Sequence, residues 1–273
     1  MEFLERLSRL DRRYIFMVIA LVVVLPFFFP LNLPVDPTGA TRGIYSAVDK
    51  LPPDSLVLMG IDYGPSTSVE LEPMVIAALR QCFPKNVKVV MMSISPEGAL
   101  QSRGALNGPV AEFRRQTGTD YVNLGYIAGA DKALRAVGSG FTTQFKRDID
   151  GRPINQLPLM KRVKDYSSFD LVLDFSSGYP GGLEYVKVVA AGYKRPLGLG
   201  VTAVTVPEYY PYLNSGQLVG MLGGLRGAAE YETLIKVPGT ATPAMDAQSI
   251  AHFTIAGFIM FANVVYFLGR RRK

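Results

Sequence analysis

The chain has 273 residues, of which 48% are hydrophobic and 19% are charged, and its mean hydropathy is +0.18. This composition is too apolar for an ordinary soluble protein and too rich in core-forming residues for a disordered one. The sequence has one histidine, His252, and one cysteine, Cys82. An intrachain disulfide and a zinc site built on a Cys/His cluster are therefore excluded, since such a site needs three or four ligands. We expect no metal and no cofactor.

The first apolar block is residues 14–31, an uncharged run just long enough to cross a bilayer core of about 30 Å. Pro26 and Pro30 predict a kink or the end of this helix. The four arginines of the tail 1–13 also fit a signal peptide, but no clear small-x-small cleavage site follows the run. The sequence favours an uncleaved membrane anchor over a signal peptide.

The middle of the chain alternates short apolar runs with helical patterns. A connector, 32–53, precedes a domain predicted at 54–236, and a second connector spans 237–249. Predicted strands cover 55–61, 87–94, 121–125, 170–175, 197–204 and 217–222. Predicted helices cover 41–50, 68–83, 97–116 with a break at Asn107–Pro109, 131–137, 157–163, 181–193, 207–213 and 225–235. Thr67 and Glu70 have the spacing of a capping box for the second of these helices.

This alternation is typical of a mainly parallel sheet covered by helices on both faces. About 180 residues suffice for one such α/β domain with a full core. We expect five or six strands in a flavodoxin-like or Rossmann-like order. The strand order itself cannot be derived from these patterns.

The second apolar block is residues 250–268, which carry no formal charge, and a basic tail, 269–273, follows at once. A buried core helix of this length without a polar face is unusual, so the block predicts a second transmembrane helix. His252 lies near the predicted outer interface. Asn263 suits a hydrogen bond to another helix, which makes it a candidate interface residue.

Basic residues concentrate in the two tails, which by the positive-inside rule places both termini in the cytoplasm and the central domain outside, across a bacterial or archaeal cytoplasmic membrane. The inverted topology stays open. The C-terminal tail alone contributes four positive charges to the net +6, so the basicity indicates a lipid bilayer as partner and not nucleic acid.

In open α/β sheets, ligands bind beyond the carboxyl ends of the strands. Short polar residues at these ends form the candidate ligand site: Asp62, Tyr63, Ser66, Ser93, Ser95, Asn123, Asp174, Ser176, Ser177, Thr205 and Glu208. The competing interpretation is that helix N-caps and turns require such residues anyway. Two carboxylates without fixed spacing do not predict a metal site.

Two glycine-rich segments precede predicted helices, at 178–182 and 220–227. Neither matches the dinucleotide fingerprint or the phosphate loop, and tight turns explain their glycines. Arg226 is the residue that makes an anion site conceivable in the second segment.

Three tyrosines around Pro207 and Pro211 form a further candidate interface: Tyr209, Tyr210 and Tyr212. If exposed, they suit a partner or a membrane surface. If buried, they belong to the core, and the sequence leaves both alternatives open.

The layout resembles the auxiliary membrane subunits of gliding-type ABC export systems. The resemblance rests on residues 37–51 (PTGATRGIYSAVDKL) and on the rhythm of DYGP at 62–65 followed by ELEP at 70–73. It covers about 40 residues and includes no diagnostic motif. It implies a non-enzymatic accessory role, with a membrane anchor, an extracytoplasmic α/β domain and a C-terminal transmembrane helix.

Three functional hypotheses follow. The first is a membrane-anchored accessory or binding protein whose outward domain engages a partner protein or a small polar ligand within a membrane assembly. The second is a membrane-anchored hydrolase or transferase that uses Asp62 and Asp174. The third is a transporter element, which would need oligomers or another subunit because two helices cannot enclose a path. We expect either a membrane-protein partner or a homo-oligomer.

Overall fold

The computed structural model describes residues 11–29, 31, 33 and 35–270, with only the backbone at 268–270. Most of the predicted N-terminal tail, Pro30 and the last three residues of the basic tail lie outside the described residues. The chain divides into two compact units. One unit comprises Met1–Pro34 with Thr242–Lys273, and the other comprises Val35–Ala241.

The first unit contains the two apolar helices. Helix α1 spans Arg12–Phe28 and starts behind Asp11, whose carboxylate accepts the Arg13 N–H. Helix α10 spans Ala241–Arg270, so most of the connector predicted at 237–249 is helical instead. In the described part of the chain, one helix, Ala241–Phe267, is long and apolar enough to cross a membrane. With 17 residues, α1 is shorter than the about 20 that a span needs.

The second unit is an α/β domain, as predicted. Its strands and helices alternate along the chain as α2 Gly39–Asp49, β1 Leu56–Asp62, α3 Ser68–Cys82, β2 Lys88–Ser93, α4 Gly98–Glu112, β3 Tyr121–Tyr126, α5 Ala130–Gly138, α6 Phe141–Gln144, β4 Leu171–Ser176, α7 Gly182–Tyr185, β5 Leu197–Val201, α8 Val206–Asn214, β6 Gly220–Gly223 and α9 Gly224–Ile235. Short 3-10 turns fill the chain between α6 and β4.

The six strands form one parallel sheet in the order β3-β2-β1-β4-β5-β6. This is the strand order of Rossmann-type sheets and not that of flavodoxin-like ones. Successive strands run outward from β1 on one side and from β4 on the other. The strand order therefore reverses between β1 and β4, which is the position at which open α/β sheets bind ligands beyond the carboxyl ends of the strands.

Both faces of the sheet are buried, which explains why its strands read as nearly continuous apolar runs. On one face, Leu58 and Val172 belong to a buried cluster that includes Leu134 of α5 and Tyr185 of α7. On the other face, α3 packs between α4 and α9, and α2 packs on β6. Because side chains alternate along a strand, residues of even number in β1 and β4 face α7.

Two predicted features of the helices are wrong. The break expected at Asn107–Pro109 is absent, and α4 runs through Pro109 to Glu112. The capping box expected at α3 does not form either. The Thr67 hydroxyl donates to the Gly64 carbonyl, and the Glu70 carboxylate accepts the N–H of Ala203 from the loop after β5. A tertiary contact has replaced the local one.

Three further elements differ in kind or length from their predictions. The helix predicted at 181–193 is a short α-helix, α7, continued by a π-helix over Val186–Gly192. The helix predicted at 157–163 is a 3-10 turn, Leu159–Arg162. Strand β5 ends at Val201 and not at Val204, because Thr202 to Thr205 form a turn in which the Thr205 N–H donates to the Thr202 carbonyl.

Candidate functional site

A pair of buried aspartates lies between β1 and β4, where the strand order reverses. Asp62 is the last residue of β1, and Asp174 lies two positions before the end of β4. The strand register places Asp174 opposite Gly60 and Ser176 opposite Asp62. All four positions lie on the face covered by α7, so the two carboxyl groups meet as the sequence predicted for strand ends.

Asp62 holds the segment that follows β2. Its Oδ1 accepts hydrogen bonds from the Ser93 hydroxyl at 3.0 Å and from the backbone N–H groups of Ile94 at 2.7 Å and Ser95 at 2.9 Å. Asp62 itself is 2% exposed. One oxygen of this carboxylate therefore serves a structural purpose, since it satisfies two N–H groups at the strand-to-helix turn.

The other carboxylate oxygens of the pair are buried without hydrogen-bond partners in the described part of the chain. Asp62 Oδ2, both carboxylate oxygens of Asp174 and the Tyr185 hydroxyl are buried without a hydrogen-bond partner when both aspartates are ionised. An unpaired buried carboxylate is costly. A proton on Asp174 removes this conflict, because the Asp174 carboxyl then donates to Asp62. The two groups thus form a proton-sharing pair that titrates as a unit.

Burial raises the pKa of both aspartates above the ordinary range. At Asp62, the hydrogen bonds from Asp174 and from the segment after β2 offset part of this rise. At Asp174, the charge of Asp62 raises the pKa further. Asp62 accepts three hydrogen bonds, whereas neither oxygen of Asp174 accepts one among the described residues, so we expect the shared proton on Asp174 and the negative charge on Asp62. Burial and both carboxylates likewise raise the pKa of Tyr185.

Gly60 makes room for this pair. A Cβ atom at position 60 would overlap the Tyr185 hydroxyl and Asp174 Oδ1.

We expect Gly60→Ala to lower the free energy of unfolding by about 1–3 kcal/mol, as overpacking of a filled core does. The measurement is thermal unfolding of the full chain in detergent. Gly108→Ala is the matched control, because Gly108 lies in α4 with nothing within 4 Å of its added Cβ. We expect that control to be neutral or stabilising by up to about 1 kcal/mol, and equal losses in the two variants would contradict the overlap.

The remaining candidate ligand residues do not lie together in one site. Ser176 accepts the Gly182 N–H at the start of α7, and the Ser177 N–H donates to the Asp62 carbonyl. Thr205 donates within its own turn to the Thr202 carbonyl. Ser66 and Glu208 are exposed on separate connections. These residues satisfy turns and helix starts, as the competing interpretation of the sequence holds.

Two candidates lie on the opposite face of the sheet from Asp174. Asn123 donates to the Ser102 hydroxyl of α4 and accepts the Gly125 N–H. Tyr63 is 1% exposed, and burial together with the charge of Glu72 raises its pKa. The alternation of side chains along a strand separates these two from the aspartate pair. One pocket formed by all eleven residues therefore does not exist in the described structure.

The tyrosine cluster predicted around Pro207 and Pro211 is split by α8. Tyr209 is buried with 2% exposure, so it is core and not interface. Tyr210 is 48% exposed and Tyr212 is partly buried against the core. In the first unit, Asn263 is exposed on α10.

Exposed apolar side chains concentrate at the carboxyl edge of the sheet. Seven large apolar side chains of residues 35–241 are exposed. Six of them lie at the end of β3 or in the first half of the connection that follows β1, β2, β4 or β5, whereas Tyr193 lies near the end of the β4–β5 connection. We call these six the rim: Val69, Leu100, Tyr126, Tyr179, Val204 and Tyr210. The most exposed are Val204 at 86% and Tyr179 at 82%. Clustered exposed apolar residues mark interaction sites.

Two exposed carboxylates lie near the rim. Glu97 and Glu208 are exposed there, and the Glu97 carboxylate occupies the space that a Cβ on Gly64 would take. In Rossmann-type dinucleotide sites, the corresponding loop after β1 receives the pyrophosphate. Here that loop lacks the glycine fingerprint and is approached by a carboxylate, which disfavours a phosphate ligand.

No group of three or more His, Cys, Asp or Glu side chains suited to a metal ion occurs among the described residues. No protein-family model, curated protein or solved structure matches the chain. The geometry of the site therefore carries the functional conclusion.

Sequence reasoning missed several residues of the site. Tyr185 and Gly60 complete the aspartate pair, but Tyr185 reads as an ordinary apolar residue of a helix. Gly60 gave the only available signal, since a glycine inside a strand indicates a close approach of another group. The rim was missed because single exposed apolar residues have no pattern until the fold gathers them on one edge.

Proposed function

We propose that this chain is a membrane-anchored binding protein whose α/β domain engages a partner protein within a membrane assembly. The observation that carries the proposal is the rim, which places six exposed apolar side chains on the edge where open α/β sheets bind. Exposed Glu97 and Glu208 favour a partner surface that combines apolar with basic side chains, and they disfavour an anionic lipid surface.

A non-enzymatic role fits the burial of the aspartate pair. Asp62 and Asp174 are 2% and 0% exposed, and Tyr185 packs directly on them. The alternative, a hydrolase or transferase that uses these two carboxyls, would require a substrate to reach groups sealed in the core. The resemblance to auxiliary subunits of export systems agrees with a non-enzymatic role.

The membrane attachment is proposed to involve both apolar helices. Helix α10 has the length and composition of a span, and the uncharged sequence block 14–31 is just long enough to supply a second one. We propose that both termini lie in the cytoplasm and the α/β domain outside, which the basic tails support through the positive-inside rule.

Site-specific photo-crosslinking in native membranes tests the partner proposal. A photoreactive phenylalanine analogue replaces Tyr179 or Tyr210 of the rim, and Tyr193 serves as the matched tyrosine control outside it. We expect the two rim positions to crosslink to one and the same protein, which mass spectrometry identifies, and the control position to crosslink weakly.

A second change in the same experiment measures the contribution of one rim residue. Val204→Ser in the crosslinkable chains is expected to lower the yield, since removing a buried apolar contact costs about 1–3 kcal/mol, or roughly 5- to 150-fold in affinity. Crosslinks to lipid alone, or equal yields at rim and control positions, would refute a protein partner at the rim.

A further inference from the structure

A cavity of about 290 Å³ lies at the carboxyl end of β6, between the starts of α2 and α9 and one side of α8. Its apolar wall consists of Ala40, Val206, Tyr210 and Met221. Its charged lining residues are Arg226 and Glu230, one turn apart on α9. At about 30 Å³ for each water, the cavity has room for roughly ten non-hydrogen atoms.

The charge of Glu230 is already compensated inside the protein. Its Oε2 accepts hydrogen bonds from the Thr38 N–H at 2.9 Å, the Thr38 hydroxyl at 2.8 Å and the Thr41 hydroxyl at 2.6 Å. Its Oε1 accepts the Arg226 Nε–H at 2.9 Å. Burial raises the pKa of Glu230, but these hydrogen bonds outweigh it and hold the pKa below the ordinary value. Glu230 therefore anchors the start of α2 as a carboxylate.

One of the three guanidinium nitrogens of Arg226, Nε, has a hydrogen-bond partner among the described residues. Its side chain is 62% exposed, and the Nη1 and Nη2 nitrogens have no hydrogen-bond or ion-pair partner among the described residues. A guanidinium held at Nε by a buried carboxylate presents its two terminal nitrogens in a fixed fork, which matches a carboxylate. The cavity thus combines one oriented cationic fork with an apolar wall.

We propose that this cavity binds a small organic monocarboxylate with a short apolar group. Its carboxylate pairs with the Nη1 and Nη2 nitrogens of Arg226, and its apolar group lies against Val206, Tyr210 and Met221. The single guanidinium fork and the apolar wall favour a monoanion with an apolar group over phosphate, which has no apolar group to place against the wall. This ligand site goes beyond the proposed partner contact at the rim, with which it shares Tyr210.

Methyl NMR of the full chain in nanodiscs tests the proposal, with Met labelled at its methyl carbon and the Met221 signal assigned by Met221→Leu. The probes are acetate, isovalerate and benzoate, the neutral isovaleramide, and inorganic phosphate. We expect saturable shifts of the Met221 signal with isovalerate or benzoate, and weaker or no shifts with acetate, isovaleramide and phosphate.

Arg226→Gln is expected to weaken carboxylate binding about tenfold or more, and Arg226→Lys, which retains the charge without the fork, to give an intermediate loss. Arg135→Gln is the matched control, because Arg135 is 63% exposed and forms a similar i,i+4 contact with Asp131. The proposal is overturned if none of the three carboxylates shifts Met221, if isovaleramide or phosphate binds as well as isovalerate, or if both Arg226 variants bind like Arg135→Gln. None of these results depends on the partner at the rim.

Discussion

Replacing Asp62 with alanine is expected to lower the free energy of unfolding of the α/β domain by about 3–5 kcal/mol. The Asp62 carboxylate is the acceptor for the N–H groups of Ile94 and Ser95 at the turn after β2. Alanine leaves these donors without an acceptor and removes the partner of the Asp174 carboxyl. Each buried polar group left unpaired costs about 1–3 kcal/mol.

Asp62→Asn is the matched control, because its amide oxygen retains the acceptor for the same two N–H groups. We expect a loss of about 1 kcal/mol for asparagine. Thermal unfolding of the full chain in detergent, followed by tyrosine circular dichroism, gives the measurement, since the chain has no tryptophan. At about 2–4 °C for each kcal/mol in a domain of this size, alanine lowers the Tm by roughly 6–20 °C. If alanine and asparagine lower it equally, the acceptor role of Asp62 is wrong.

The sequence predicted the sheet well because buried parallel strands leave a strong local signal. Most residues of the first five predicted strands lie within the corresponding strands of the structure, as Leu171–Ser176 shows for the prediction at 170–175. The strand predicted at 217–222 starts only at Gly220. Strand order left no such signal, since it depends on which faces of the helices fit together. Boundaries set by tertiary contacts were also missed, as at Glu70, which accepts an N–H from the loop after β5 and not from its own helix.

The position of the site was predictable from the sequence, but its burial was not. The rule that parallel strands present their carboxyl ends on one edge brought Asp62 and Asp174 together correctly. Their burial depends on the packing of Tyr185 over Gly60, and the glycine inside the strand was the single local sign of it. Asn123 shows the limit of the same rule, because the face on which a strand-end side chain lies depends on its exact register.

Asp174→Asn is expected to remove most of the loss of stability that the wild-type domain shows as the pH rises. Burial and the charge of Asp62 raise the pKa of Asp174 in the folded chain well above the value of about 4 expected in the unfolded chain. A group with a raised folded pKa contributes stability that is fully present below the unfolded pKa. That contribution falls by about 1.4 kcal/mol for each pH unit above it and is gone beyond the folded pKa.

Asparagine abolishes this loss because its amide group donates a hydrogen bond to Asp62 at every pH. The Asp174 carboxyl donates that hydrogen bond only while it is protonated. The two chains should therefore have similar Tm values near pH 4 to 5. The variant should gain about 3–6 °C relative to wild type for each pH unit above that range, until the folded pKa is reached.

Asp120 and Glu230 titrate in the opposite direction and in a different pH window. Glu72, whose pKa burial raises, acts in the same direction as Asp174, and it does so in both chains alike. Burial raises the pKa of Asp120 and Glu230, but their hydrogen bonds outweigh it and lower both below the ordinary values. Their stabilisation is present above the unfolded pKa of about 4 and is lost as the pH falls, in both chains alike. This stabilisation cancels when the Tm of the wild type is subtracted from the Tm of the variant at each pH. A constant Tm difference from pH 5 to pH 8 would show that the aspartate pair takes up no proton on folding. A difference that widens with pH shows that it does, since the two aspartates titrate as a unit.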